Sequence, residues 1–194
     1  MGSTGLRREA GLTDLEFFTQ QWPDALGEGG YWTVLAHNSD RQGFYAAIRD
    51  SRFEKPSDQH FILVVKKDWF PRAYDNFVYK DMTDTMGPGI DGASLDVLDA
   101  VPETDHEYAK PWRERCLTLR MQEADIKRNL KHGSTIKFPR TINYADGVTE
   151  DTFTANKPSN GGRYVFRRAT DNRPVRMPAD WKKTLGVTVT APAS

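Results

Sequence analysis

The stretch Phe61-Ile62-Leu63-Val64-Val65 is a continuous apolar run, with His60 before it and Lys66 after it. A short run of this kind is typical of a β-strand that is covered on both faces. Two further segments with strand character, 31–37 and 44–49, precede it in the chain. The pattern predicts an antiparallel meander with helices packed against it.

Three helices are indicated around this meander. Thr13 and Glu16 form a capping-box pattern, in which each side chain accepts a hydrogen bond from the backbone N–H of the other residue. A short helix is predicted over residues 94–100. The clearest helix is predicted over residues 110–131, because apolar residues recur there at helical spacing and Gly133 follows its end.

After Gly133 the pattern changes to short strands separated by turns. These strands are predicted over residues 135–138, 141–144, 152–155, 164–168 and 185–190. Such a series of short strands favours a small SH3-like β-barrel, or a sheet that is continuous with the first one.

We therefore predict an α+β fold in three parts. Residues 1–11 form a flexible N-terminus, and residues 12–132 form an α+β domain with the antiparallel meander and its packed helices. Residues 133–194 form a β-rich part that is packed on this domain. A chain of 194 residues buries enough surface to fold without a disulfide or a metal.

The composition excludes several classes of protein. The chain has one cysteine, Cys116, which excludes an internal disulfide and fits a reducing compartment. Because it lacks an apolar run of 18 residues, no membrane span is predicted. The N-terminal stretch lacks the apolar core of a secretory signal. We expect a soluble, cytoplasmic protein, whose oligomeric state is left open.

The charges are unevenly distributed along the chain. From Asp81 to Glu107 there are eight carboxylates and no lysine or arginine. Residues 1–130 contain 16 basic and 22 acidic side chains, whereas residues 131–194 contain 11 basic and 5 acidic ones. The chain is neutral overall but polarised, which describes its surfaces and selects no function by itself.

The common catalytic and cofactor-binding motifs are absent from the sequence. There is no P-loop, no Gly-x-Ser-x-Gly elbow and no Gly-x-Gly-x-x-Gly stretch. The four histidines are scattered, so neither a metal site nor a cofactor nor a catalytic residue is predicted. A hard cation bound by Asp81, Asp84 and Asp91 is an alternative to a solvated acidic face. Cys116 lies on the apolar stripe of its helix, which favours a buried and inert thiol.

One candidate polar site involves the turn-forming segment 79–89 and the helix predicted over residues 110–131. The site consists of Lys80, Asp81, Asp84 and Arg113. If these side chains are desolvated together, their pKa values shift, and the cluster suits an enzyme or a small-ligand binder. The alternative is a structural network that pins the turn at 86–89 onto the sheet.

A second candidate is a nucleic-acid-binding surface in the C-terminal part. Its basic residues are Arg163, Arg167, Arg168, Arg173, Arg176, Lys182 and Lys183. They alternate with Tyr164, Phe166 and Trp181, and cationic groups beside aromatic rings suit phosphates and stacked bases. Alternatively, the aromatic residues belong to the core, and the basic part pairs with the acidic part of the chain.

The motif Tyr79-Lys80-Asp81-Met82-x-Asp84-Thr85-Met86-Gly87-Pro88, followed by Trp112-Arg113-x-x-Cys116, resembles an uncharacterised family of bacterial, phage and mobile-element proteins, a domain of unknown function. Residues 133–138 and 145–147 are similar to the closing β-rich part of that family. The resemblance implies a mobile-element setting in a bacterial host cell. It implies no activity, substrate or catalytic residue.

These observations lead to one main hypothesis and two alternatives. The main hypothesis is a non-enzymatic phage or mobile-element accessory protein that binds a macromolecular partner, either nucleic acid or a host or viral protein. The first alternative is an enzyme or small-ligand binder with its polar site at residues 79–89. The second alternative is a virion or assembly component, whose exposed aromatic patches serve as contacts.

Overall fold

The computed structural model describes residues 3–7, 11–55, 59–69, 76–159, 161–178 and 180–192. It contains helices and antiparallel sheets, which confirms the α+β class. The chain divides into two compact units, residues 1–117 and 118–194, which we call the N-terminal unit and the C-terminal unit. The domain boundary at 132/133 stays a prediction.

The N-terminal unit contains a five-stranded antiparallel sheet with the strand order β1-β5-β4-β3-β2. Its strands are β1 Ser3–Arg7, β2 Trp32–Ser39, β3 Gly43–Asp50, β4 His60–Trp69 and β5 Asn76–Thr83. The apolar run 61–65 lies in β4, between β3 and β5. Strands β2, β3 and β4 pair in sequence order, so the antiparallel meander is confirmed.

Helices cover both faces of β4. The helices are α1 Asp14–Gln21, α2 Pro23–Leu26, α3 Leu95–Asp99 and α4 Ala109–Asn129. One face of β4 packs against α3 and α4 in a buried cluster that includes Ile62, Val64, Val97 and Trp112. The other face packs against α1 in a buried cluster that includes Leu63, Val65, Phe17 and Phe18. Because both faces are covered, the whole run is apolar.

Helix α1 begins with the predicted capping box. The Thr13 N–H donates to Glu16 Oε2 at 2.7 Å, and the Glu16 N–H donates to Thr13 Oγ1 at 3.2 Å. A buried ion pair then joins the helix to the sheet, since Lys67 Nζ of β4 lies 2.6 Å from Asp14 Oδ2. The position of α1 is therefore determined by its aromatic residues and by a charge pair that needs both partners.

The structure differs from the sequence prediction at two strands of this sheet. Residues 3–7, predicted within a flexible N-terminus, form β1, which pairs antiparallel with β5. Residues 1–2 and 8–10 of that predicted N-terminus lie outside the described residues. Residues 79–83, predicted as part of a turn-forming segment, belong to β5. These two strands are held together by backbone hydrogen bonds, which do not require particular side chains. Their strand character is therefore only weakly visible in the sequence.

The C-terminal unit contains a second five-stranded antiparallel sheet, with the order β10-β6-β7-β8-β9. Its strands are β6 Ser134–Asn143, β7 Thr149–Asn156, β8 Val165–Arg168, β9 Pro174–Val175 and β10 Thr188–Thr190. The sheet is open, so the SH3-like barrel is not confirmed. Its inner face is covered by residues of α4 and of the segment 177–187, including Ile126, Met177, Trp181 and Val187.

Closure of this sheet is disfavoured by its own strands. The pairing of β6 with β7 changes register between Lys137 and Ile142. The edge strand β9 is only two residues long, and β10 is three residues long. A barrel needs strands that continue with a regular stagger around the whole circle, and these edges are too short for that.

The loop before α3 leaves no space for a side chain at Gly92. A Cβ atom at Gly92 would lie 2.4 Å from Tyr45 Oη, and Tyr45 is fully buried. Asn38 holds the loop in place, because its Nδ2 donates to Gly92 O at 2.9 Å and its Oδ1 accepts from the Ser94 N–H at 2.8 Å.

We predict that Gly92→Ala lowers the free energy of unfolding by about 1–3 kcal/mol, because the Tyr45 ring cannot move without disturbing the core. The matched control is Gly89→Ala, since a Cβ atom there meets no atom within 4 Å. Urea unfolding followed by circular dichroism measures both variants. Equal stability of Gly92→Ala and Gly89→Ala would contradict this packing.

Candidate functional site

The structure brings together two residues of the candidate polar site, Asp84 and Arg113. Asp84 begins the 3-10 turn Asp84–Met86 and is 0% exposed. Its Oδ2 accepts hydrogen bonds from Arg113 Nε at 2.7 Å and forms an ion pair with Nη2 at 2.6 Å. Its Oδ1 accepts from the Ile62 N–H of β4 at 3.2 Å. Both carboxylate oxygens are therefore engaged by this protein itself.

Arg113 extends this network to another segment of the N-terminal unit. Its Nη1 donates to the backbone oxygen of Pro102 at 2.5 Å. The turn closes with a hydrogen bond from the Gly87 N–H to Asp84 O at 3.1 Å, and Gly87 has a left-handed φ of 61°. Glycine adopts this conformation without steric cost. This geometry favours the structural alternative, in which the network pins the turn onto the sheet.

Lys80 and Asp81 lie on opposite faces of the sheet. Lys80 pairs with Lys66 of β4, and Asp81 pairs with Val65. Because neighbouring side chains of a strand alternate between faces, Asp81 lies on the face that Val65 shares with α1, and Lys80 lies on the other. The four residues of the candidate polar site are therefore divided between separate environments.

We predict that Asp84→Ala lowers the free energy of unfolding by about 3–5 kcal/mol, because it leaves the Arg113 charge without its buried partner. The control is Asp91→Ala. Asp91 pairs with Arg115 at 3.4 Å, and both side chains are partly exposed, so this loss costs about 0–1 kcal/mol. Chemical denaturation gives both values. Wild-type stability of Asp84→Ala would favour a functional role for this carboxylate.

The candidate nucleic-acid-binding residues lie in the C-terminal unit, and all but one are at least partly exposed. The exposed or partly exposed residues are Arg163, Arg167, Arg173, Arg176, Lys182 and Lys183. We call this set the basic surface. Arg167 pairs with Thr154 on the outer face of β8, and its Nη1 donates to Asn172 O at 2.8 Å. The basic surface therefore combines side chains of the sheet with side chains of the segment 173–183.

Arg168 is the exception, and the structure does not support a phosphate-binding role for it. Arg168 is 2% exposed, and it shares the inner face of β8 with Phe166. Its Nε and Nη2 donate to the two carboxylate oxygens of Asp171 at 3.0 and 2.6 Å. Its Nη1 donates to Asp146 Oδ2 at 2.9 Å. A guanidinium enclosed in this way has no face available for a phosphate.

Folding lowers the pKa of both carboxylates of this network, and of Glu150, which accepts separate hydrogen bonds from the backbone. Hydrogen bonds from Arg168 lower the pKa of Asp146 below the ordinary aspartate value. The backbone N–H of Arg173, and then the Arg168 guanidinium, lower the pKa of Asp171. Burial acts to raise the pKa of Glu150, but hydrogen bonds from the Thr152 and Thr170 N–H groups outweigh it and lower the pKa.

We predict that the C-terminal unit loses stability as the pH falls from about 4 towards about 2. A carboxylate whose pKa is lowered by folding stabilises the fold above its unfolded pKa, and this contribution is lost as it becomes protonated. Calorimetric unfolding across this pH range measures the effect. The double variant Asp146→Asn/Asp171→Asn is expected to be less stable at pH 7 and less sensitive to acid.

The control for this pH experiment is Asp125→Asn. Asp125 forms an exposed ion pair with Arg128 on α4, outside the network around Arg168. This variant is expected to retain the acid sensitivity of the wild type. An unchanged acid sensitivity in the Asp146→Asn/Asp171→Asn variant would contradict the role assigned to the network.

The aromatic residues of the C-terminal unit belong both to the core and to an open groove. Tyr164 and Phe166 pack at the edge of the buried cluster, with ring centroids 6.4 Å apart. The same two rings, together with Arg176, Pro178 and Trp181, line a groove of about 500 Å³. The sequence analysis treated core and binding surface as alternatives, whereas these aromatic residues contribute to both.

Sequence reasoning missed two features of the C-terminal unit. The first is this groove, whose lining comes from separate segments of the chain. The second is a row of threonines on the outer face of the sheet, where Thr190, Thr135, Thr154 and Arg167 pair in register. The alternation in residues 152–154 and 188–190 was the available signal for the second feature.

The described residues hold neither a metal cluster nor a membrane span. Among them, no group of three or more histidine, cysteine, aspartate or glutamate side chains is arranged to hold a metal ion. Within the same ranges, no helix is both long and apolar enough to cross a membrane. Cys116 is buried in the cluster between β4 and the helices α3 and α4.

Comparison with known proteins defines a family context for part of the chain. Residues 103–180 match the model of a family described as a domain of unknown function, DUF6927. This range includes Arg113, Cys116 and the strands β6 to β9, and it covers less than half of the chain. It is consistent with similarity to an uncharacterised family. No curated protein and no solved structure matches the chain.

Proposed function

We propose that this chain is a non-enzymatic accessory protein that binds nucleic acid through the basic surface of its C-terminal unit. A single observation carries the proposal. Six of the seven acidic side chains of this unit form local hydrogen bonds or ion pairs, whereas the cations of the basic surface are exposed or partly exposed to solvent. Exposed cations of this kind attract a polyanion.

The charge balance of the C-terminal unit supports this proposal. Residues 118–194 contain 14 basic and 7 acidic side chains. Asp146 and Asp171 bind the buried Arg168, and Glu150 accepts backbone N–H groups. Three of these seven acidic side chains are thus held close to a buried arginine or to the backbone. Within the basic surface, Arg173 forms ion pairs with Asp171 at 3.7 Å and with Asp146 at 4.0 Å.

The aromatic groove beside the basic surface adds a second kind of contact. Arg176 lines the groove, and Lys182 Nζ lies 5.7 Å from the centroid of the Trp181 ring. Proteins that bind single-stranded nucleic acid combine a basic track for phosphates with aromatic surfaces for bases. The neighbourhood of Arg176, Lys182 and the groove has both components.

The proposed biological setting is that of a phage or another mobile element in the cytoplasm of a bacterial host cell. Its support is the resemblance of the segment 79–88 to proteins of such elements. Nucleic-acid binding without catalysis is a common task of accessory proteins, and the absence of familiar catalytic motifs in the sequence is compatible with it.

A protein partner is the second candidate, and exposed carboxylates favour it. In the N-terminal unit the side chains of Asp96, Asp99, Glu103, Asp105 and Glu107 are exposed. Tyr108 is exposed next to them. Such a surface suits a basic protein and resembles the charge of nucleic acid towards that partner. An enzyme at residues 79–89 stays an alternative without a supporting contact from the geometry.

We predict that the triple variant Arg163→Glu/Arg176→Glu/Lys182→Glu loses nucleic-acid binding. Fluorescence anisotropy with labelled single-stranded DNA, duplex DNA and RNA at several salt concentrations measures this. The wild type is expected to bind with a steep salt dependence. Loss of three phosphate contacts should reduce the slope of log K against log salt by about 2 for a single strand.

The matched control reverses three positive charges in the N-terminal unit, in Arg49→Glu/Lys55→Glu/Lys66→Glu. It changes the net charge equally and should retain most of the affinity. A similar loss of affinity in both triple variants would mean that the net charge of the protein, and not the basic surface, determines binding. No binding by the wild type at low salt would discard the nucleic-acid proposal and leave the protein partner.

A further inference from the structure

Two open grooves lie next to each other on the C-terminal unit. The first, which we call the aromatic groove, is lined by Tyr164, Phe166, Trp181 and Arg176 among others. The second, which we call the proline groove, has a volume of about 490 Å³ and is lined by Phe138, Pro139, Arg140 and Leu185 among others. Pro178 lines both grooves, so the two are adjacent.

Each groove combines an apolar floor with an arginine. Arg176 lines the aromatic groove and Arg140 lines the proline groove, and both side chains are exposed. Two adjacent apolar grooves, each with one cation in its lining, therefore lie on this surface. A single-stranded nucleic acid is complementary to such a pair, because each nucleotide brings one flat apolar base and one anionic phosphate.

We infer that the two grooves form a track for single-stranded nucleic acid, with unpaired bases in adjacent grooves and phosphates at Arg176 and Arg140. This inference rests on the proposed function and specifies its ligand. In a duplex the base faces are stacked inside the helix and are not available to a groove. A single strand exposes them, and aromatic side chains stack on them without strong sequence preference.

The wall between the grooves is held in position by one glutamine of α4. Gln122 Nε2 donates to Lys182 O at 3.0 Å and to Thr184 O at 2.9 Å. Its Oε1 accepts from the Gly186 N–H at 2.9 Å. On the other side, Tyr164 Oη donates to Leu130 O at 3.0 Å, which orients the ring in the aromatic groove. The track is therefore formed before any ligand arrives, which lowers the entropy cost of binding.

Charge favours nucleic acid over a peptide as the occupant. A proline-rich peptide also fits apolar grooves lined by aromatic residues, but it lacks a regularly repeated anion. The track lies beside exposed cations of the basic surface, including Lys182 and Arg163. These cations would remain unmatched under a neutral peptide, whereas phosphates on either side of the bases neutralise them.

The test separates the bases from the phosphates. The probes are a labelled 12-nucleotide oligothymidylate and an abasic strand with the same length and number of phosphates. The wild type is expected to bind the normal strand about 100-fold more tightly than the abasic one, since two bases stack and each contributes roughly tenfold. A DNA duplex of the same length should bind less tightly than the normal single strand, because its bases are stacked inside the helix.

The variants change exposed apolar residues of each groove. Val165 and Leu185 are 38% and 40% exposed, so that Val165→Ser/Leu185→Ser leaves the buried core intact. It should lose the preference for the normal strand and keep the affinity for the abasic one. The control Leu35→Ser/Leu95→Ser changes residues of similar exposure, 41% and 45%, in the N-terminal unit and should keep the full preference.

A second variant tests the aromatic ring itself. Phe166→Leu keeps an apolar side chain against Trp181, whose ring centroid lies 5.7 Å away, but removes the flat surface. It should weaken binding of the normal strand severalfold at unchanged affinity for the abasic strand. Circular dichroism of each variant verifies that it is folded.

The outcomes distinguish this inference from the proposed function. Equal, salt-dependent affinity of the wild type for normal and abasic strands would overturn the track and leave the phosphate-binding surface in place. A lack of binding to every strand at low salt would overturn both. Displacement of oligothymidylate by an oligoproline peptide at similar concentrations would overturn the assignment of the grooves to bases.

Discussion

The double-sided burial of β4 is the constraint on which the N-terminal unit depends. A strand with apolar residues on both faces requires helices on both sides, and α1 lies on one side while α3 and α4 lie on the other. Charged side chains that are buried in this layer need oppositely charged partners, because an unpaired buried charge is costly. Lys67 forms an ion pair with Asp14, and Asp84 forms one with Arg113, each at a distance of 2.6 Å. The apolar surroundings of β4 therefore explain why the buried charged residues near it occur in pairs.

The C-terminal unit uses the same rule with a different result for its surface. Arg168 is buried beneath the sheet and draws Asp146 and Asp171 towards it. Both carboxylates are partly exposed, and they also lie 4.0 and 3.7 Å from the guanidinium of Arg173. A structural requirement of the core thereby fixes where two acidic side chains lie at the surface of the C-terminal unit.

The sequence indicated the features that depend on local pattern. The run 61–65, the capping box of Thr13 and Glu16, and the helix α4 have side-chain signatures, and all three are found in the structure. The alternation of side chains in β8 also held a signal for the burial of Arg168, because this residue lies on the same face of the strand as Phe166. Strand β1 has no such signature, because it is positioned by backbone pairing with β5, which does not require particular side chains. The open form of the second sheet depends on the length of its edge strands and on their register. Each groove is lined by more than one segment of the chain. Local sequence pattern therefore predicts neither feature.

The Gln122 side chain has a consequence for motion. It binds three backbone groups of the segment 182–186 at once, through distances of 2.9 to 3.0 Å. A rotation of this one side chain would break all three hydrogen bonds together, so these contacts are lost or kept as a group. The Gly186 amide hydrogen thus reports on that rotation, and its exchange with solvent would follow the loss of the three hydrogen bonds.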